Sequence, residues 1–66
     1  MRLIINGEEK RFDKELTIQE ILKRLQVEDK VMAAAVNTQI VKKEEWDRYK
    51  PKDGDKVEFL TFVGGG

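Results

Sequence analysis

The pattern of this chain predicts a small α+β domain in which one helix covers one face of a short mixed sheet. Three observations carry that expectation: an Asn6-Gly7 pair between two strand-like runs, a capped helical stripe that begins at Thr17, and an apolar run from Val57 to Val63. A chain of 66 residues buries only about 60% of the surface it exposes when unfolded, so a single modest core is expected.

Leu3, Ile4 and Ile5 form a short apolar run, and Glu8 to Phe12 returns antiparallel to it, because Asn-Gly is the pair that favours a tight hairpin turn. Thr17 and Glu20 then stand in capping-box spacing, in which each side chain satisfies a backbone amide of the first helical turn. Ile18, Ile21, Leu22 and Leu25 fall on one face of the helix that follows, with Gln19, Glu20, Lys23 and Arg24 on the other. The cap contributes about 1 kcal/mol, whereas each buried apolar side chain contributes roughly 1.5 to 3 kcal/mol, so the stripe is what docks the helix.

Val31 to Val36 reads as a buried strand and Gln39 to Val41 as its short partner, separated by Asn37 and Thr38. Alternation assigns no faces where three alanines adjoin. Lys42 to Lys50 is charged but holds Trp46 and Tyr49 three apart, so one helical turn would lay both rings over the edge of the core; the functional alternative is an aromatic ligand platform. Pro51 and the Asp53-Gly54-Asp55 cluster mark a turn before the last strand. Hairpin, helix, two short strands and a long final strand, in that order, suggest a β-grasp, or ubiquitin-like, fold. A final strand parallel to the first is typical of that fold and is not dictated by the pattern.

Composition narrows the function. Thirteen basic and thirteen acidic residues cancel, which removes the electrostatic case for nucleic acid or an anionic membrane as main partner. No apolar run approaches the length of a bilayer span and no signal-peptide pattern follows Met1, so a cytoplasmic protein is expected. Without cysteine or histidine the chain offers no disulfide, no thiol nucleophile and no imidazole for acid–base work. Serine is absent as well, so no Ser-His-Asp triad can be assembled.

The end of the chain carries the remaining signal. Along the last strand Val57, Phe59, Thr61 and Val63 share one face, while Glu58, Leu60 and Phe62 share the other. Both faces are apolar near the end, yet a helix of about ten residues, some 15 Å long, covers only one. Leu60 and Phe62, with Ile4, are therefore candidates for an exposed interaction patch; the alternative is extra cover from the Lys42 to Pro51 segment. Gly64, Gly65 and Gly66 follow at once. Lacking a Cβ, such a tail passes a channel too narrow for any side chain and presents the Gly66 carboxylate at its end. The bland reading is a frayed terminus. Residues 1–63 are expected to form the domain and 64–66 a flexible tail.

The run Val36 to Val41, Lys43 through Trp46, Asp53 to Glu58, and Val63-Gly64-Gly65-Gly66 together resemble the ThiS family, the sulfur carriers of thiamine biosynthesis, and the resemblance extends along essentially the whole chain. A terminal Gly-Gly alone is less specific, being shared with the MoaD-type small subunit of molybdopterin synthase and with ubiquitin-like modifiers. The resemblance implies that a ThiF-like adenylating enzyme, using ATP and magnesium, converts the Gly66 carboxylate to an acyl adenylate. A persulfide donor then supplies sulfur, and the resulting thiocarboxylate delivers it to a ThiG-like thiazole synthase. On that reading the chain binds no cofactor or metal itself and is a cosubstrate, not an enzyme. Leu60, Phe62 and Val63, with Ile4, would dock on the adenylating enzyme while Gly64, Gly65 and Gly66 enter its channel. The alternatives are a carrier for molybdopterin, cysteine or tRNA thiolation, a ubiquitin-like modifier, and an interaction module with an inert tail.

Overall fold

The computed structural model describes residues 1–61. The hairpin forms as its turn pair predicts: β1 (Arg2–Ile5) and β2 (Glu8–Arg11) are antiparallel, with Asn6 at φ 49° and Gly7 at φ 84°. Two consecutive positive φ angles match the right-handed twist of the strands, and Asn-Gly is the pair that adopts them at least cost.

The helix α1 (Ile18–Arg24) has Thr17 as its N-cap. Every amide of its first turn has a partner. Thr17 Oγ1 accepts from Glu20 N–H at 3.1 Å, and Glu20 Oε1 accepts from Thr17 N–H at 2.8 Å. Ile18 N–H donates to the Tyr49 carbonyl and Gln19 N–H to the Trp46 carbonyl, both at 2.9 Å. Thr17 is itself buried, so leaving these donors unpaired would carry a full desolvation cost. The amide contacts with Thr17 also hold the Glu20 carboxyl below its ordinary range, the backbone bond being the largest cause.

At seven residues the helix is shorter than the ten or so expected, because Gln26 turns left-handed at φ 60°. Gln26 N–H then bonds the Lys23 carbonyl and Val27 N–H the Leu22 carbonyl, the paired bonds of a Schellman ending. No glycine marks that ending in the sequence.

The strands β3 (Val31–Val36), β4 (Gln39–Val41) and β5 (Lys56–Thr61) complete a five-stranded sheet in the order β2-β1-β5-β3-β4. β1 and β5 are parallel and the other pairs antiparallel, which is the β-grasp arrangement. Between Val31↔Thr61 and Ala33↔Leu60 the register slips, so that Met32 is an extra residue in β3. That bulge changes the phase of alternation within the strand: Val31, Ala34 and Val36 are all buried although Val31 and Ala34 are three apart.

One face of the sheet is the core. Leu3, Ile5, Val36, Val57 and Phe59 pack with Ile18, Ile21 and Leu22 of α1. Lys43–Glu45 forms a single 3-10 turn that delivers Trp46 into the same core at 2% exposure, with its Nε1–H donating to the Val41 carbonyl at 2.9 Å. Trp46 is therefore a packing residue and not a ligand platform, while Tyr49 remains partly exposed. The carbonyls of Trp46 and Tyr49 tie this segment to the start of α1, on the covered side of the sheet.

Candidate functional site

On β5, Val57 is fully buried and Phe59 nearly so, whereas Glu58 is exposed and Leu60 is 61% exposed. The alternation expected from the sequence thus holds, and no part of the 42–51 segment covers Leu60. The pairing register shows what surrounds it. Leu60 lies opposite Ala33, Glu58 opposite Ala35, and Ala35 opposite Ile40 of β4, so all five stand on the open face. Small alanines between larger side chains leave a shallow depression lined by Asn6, Ala33, Ala35, Ile40, Glu58 and Leu60. Ile40 is 71% and Met32 56% exposed.

Ile4 shares this face, since Leu3 and Ile5 on either side of it are buried in the core, but it is itself largely buried. Its partner on β5 is Lys56, four residues before Leu60, which is about 13 Å along the strand at the usual rise. Ile4 and Leu60 are therefore on one face without touching, with charged Lys56 and Glu58 between them in β5. Phe62, Val63, Gly64, Gly65 and Gly66 lie outside the described residues.

Ala33, Ala35 and Ile40 were not expected at this site. For Ile40 a signal was present: in Gln39-Ile40-Val41 two adjacent apolar residues cannot both face the core of a strand, and Val41 is the buried one. For β3 no local signal exists, because the bulge at Met32 resets the faces.

The start of β5 is held with equal care. Asn37, in the turn between β3 and β4, donates from Nδ2 to Asp55 Oδ1 at 3.0 Å and accepts on Oδ1 from Lys56 N–H at 3.0 Å. Asp55 Oδ2 accepts from Lys52 N–H at 2.8 Å, and Asp53 Oδ1 from Arg2 N–H at 2.7 Å. Gly54, at φ 89°, has the positive φ this turn requires. The Asp53-Gly54-Asp55 turn and Asn37 thus serve to launch β5 in register. Among the described residues no group of three or more His, Cys, Asp or Glu side chains could hold a metal ion, and no helix is long and apolar enough to cross a membrane.

The family model described as the ThiS family matches residues 3–66. A thiazole synthase of Paramagnetospirillum magneticum is 39% identical over all 66 residues of the chain, which spans only 20% of that protein. The sulfur carrier protein ThiS of Bacillus subtilis is 35% identical over 65 residues, 97% of this chain and 98% of its own. Among solved structures, the crystal structure of a thiamine biosynthesis protein (ThiS) from Geobacter metallireducens superimposes with a TM-score of 0.81 at 37% identity, covering 100% of both chains.

Proposed function

This chain belongs to the ThiS family, and we propose that it is a sulfur carrier of thiamine biosynthesis whose reactive group is its Gly66 carboxylate. The observation that carries this reading is the match along residues 3–66, which takes in both the strand bearing Leu60 and the three closing glycines. At neutral pH a terminal carboxylate is ionised, and its acyl carbon is then a poor electrophile with no good leaving group. An adenylating partner removes that obstacle with ATP and magnesium, making an acyl adenylate at Gly66 and releasing pyrophosphate. The terminal sulfur of a persulfide donor then attacks the acyl carbon and AMP leaves. Cleavage of the resulting acyl disulfide by a thiol frees the thiocarboxylate. Thiolates are soft nucleophiles, and the thiocarboxylate shares that character for transfer of sulfur to a thiazole synthase.

The partner roles fit the composition. A chain without cysteine or histidine carries the activated group while its partners supply the catalytic side chains, so it acts as a cosubstrate and not as an enzyme. That a thiazole synthase contains a region 39% identical to the whole chain supports thiazole synthase as the acceptor. Exposed Leu60, with Phe62 and Val63 close to it in the sequence, supplies the main docking surface and Ile4 a separate contact farther along the same face, and burial of apolar surface there offsets the entropy of ordering the glycines, about 1 to 2 kcal/mol per residue.

The test is intact mass after incubation with a ThiF-like adenylating enzyme, ATP, magnesium and a persulfide donor. The expected result is a gain equal to replacing one oxygen by sulfur, localised to Gly66. No gain with an enzyme shown to be active on another carrier would overturn the reading. Gly65→Trp should abolish the gain while leaving the fold intact, because the bulky side chain blocks a channel shaped for glycine.

A further inference from the structure

We propose that Asn6 is a positioning residue for the end of β5, acting through Phe59; the proposal rests on the carrier reading above. β1 pairs with β5 at Ile4↔Lys56 and Ile5↔Val57, and the chain then turns away at Asn6 while β5 runs on to Thr61. Asn6 N–H still reaches the Val57 carbonyl at 2.9 Å. Beyond that point the side chain takes over from the main chain. Phe59 N–H donates to Asn6 Oδ1 at 2.8 Å, and Asn6 Nδ2 donates to the Phe59 carbonyl at 3.3 Å. A carboxamide carries the same donor and acceptor as a peptide unit, so Asn6 adds one more rung to the parallel ladder after β1 has left it.

The position of that rung gives it a role beyond stability. Phe59 directly precedes exposed Leu60, and among the described residues no backbone of β1 or β2 bonds to β5 beyond it. The rung therefore fixes, from the β1 side, the direction in which β5 presents Leu60, while β3 pairs with the other edge of the strand as far as Thr61. Without it, Phe59 to Thr61 would be held from the β3 edge alone, a partner would have to offset the added freedom of that segment, and the productive complex would form less readily.

The fold contains its own control. Asn37 occupies the corresponding place in the second hairpin turn, with the same φ of 49°, and also binds β5 through its side chain. It acts on the opposite edge of the strand, at Lys56, the end remote from the terminus. A loss of strand order in general would make the two asparagines equivalent. A positioning role makes them differ.

The experiment compares Asn6→Gly, Asn6→Asp and Asn37→Gly with the wild-type chain by amide exchange at Phe59 and by kcat/KM for modification of Gly66 in the mass assay. Glycine suits the positive φ of both turns, so these variants delete the side-chain bonds without straining the backbone. For Asn6→Gly the expected result is faster exchange at Phe59 and about a tenfold fall in kcat/KM, residing mainly in KM, a change of about 1.4 kcal/mol. Asn6→Asp keeps the acceptor for Phe59 N–H and should fall between wild type and Asn6→Gly, a comparison that survives if the glycine variant fails to fold. Asn37→Gly should stay within about twofold of wild type. Unchanged exchange at Phe59 in Asn6→Gly would overturn the rung itself. Wild-type kcat/KM in that variant, or an equal fall in Asn37→Gly, would overturn the positioning role. Failure of the wild-type chain to be modified at all would overturn the carrier reading and this proposal together.

Discussion

Val57 and Phe59 of β5 point into the core under α1, while Glu58 and Leu60 of the same strand point to the uncovered side. The covered face is continuous: Leu3, Ile5, Val36 and Trp46 join them there, and every first-turn amide of the helix above has a partner. The open face has large apolar side chains at Leu60 and Ile40, alanines between them, and charged Lys56 and Glu58 toward Ile4. The faces differ in composition and also in cover, since one helix of seven residues spans only about 10 Å and leaves Leu60 and Ile40 exposed on the other side. Exposed apolar side chains that contribute little to folding are free to contribute to binding, so the comparison teaches where stability and function should separate under mutation.

The largest effect should come from the covered face. Trp46→Ala is expected to lose about 3 to 5 kcal/mol, through a cavity and the lost bond to the Val41 carbonyl, whereas Leu60→Ala should stay within about 0.5 kcal/mol in urea unfolding. Similar losses for the two would erase the distinction between the faces. Leu60→Asp, folded but poorly modified at Gly66, would sharpen it.

Next in size is the attachment of the helix. Thr17→Ala removes the acceptor for Glu20 N–H at a buried position, and a loss of about 1 kcal/mol should appear as a lower urea midpoint with an unchanged slope. A smaller effect of opposite sign is expected at the hairpin between β3 and β4. Thr38 sits at φ 73°, which is costly for a β-branched residue, so Thr38→Gly should stabilise the domain by about 0.5 to 1 kcal/mol once the entropy of glycine is deducted. A destabilised variant would show that the threonine side chain earns its place by a contact.

The smallest effect concerns pH. The folded state lowers the Glu20 pKa, so the stability this group contributes is present above its ordinary unfolded value and is lost as pH falls through the lower folded value. Glu20→Gln keeps an acceptor for Thr17 N–H but cannot titrate, and should flatten stability against pH in that acidic window alone. An unchanged acid limb would mean that the capping carboxylate is not coupled to folding.

Most of the fold was legible in the sequence because its signals are local. Asn6-Gly7 specifies a turn by its own φ preferences, Thr17 and Glu20 are neighbours on one helical turn, and Val57 to Thr61 alternate by the geometry of a strand. The helix ending was not legible, since Gln26 turns left-handed without the glycine that usually announces it. The candidate site was legible only along β5. Leu60 was placed by alternation, but Ala33 and Ala35 reached its side through a bulge at Met32, and Ile4 was kept apart from it by a register that joins it to Lys56.

The order and kind of the elements and the two-sided character of β5 follow from the sequence because each depends on residues close together in the chain, and the family follows from a match along residues 3–66 that needs no contacts to be known. Tertiary structure alone decided the parallel pairing of β1 with β5, the neighbours of Leu60, and the use of Asn6 and Asn37 as side-chain rungs on the two edges of the same strand. Those contacts join residues 18 to 53 positions apart, and no local preference records which distant backbone group a side-chain amide will find.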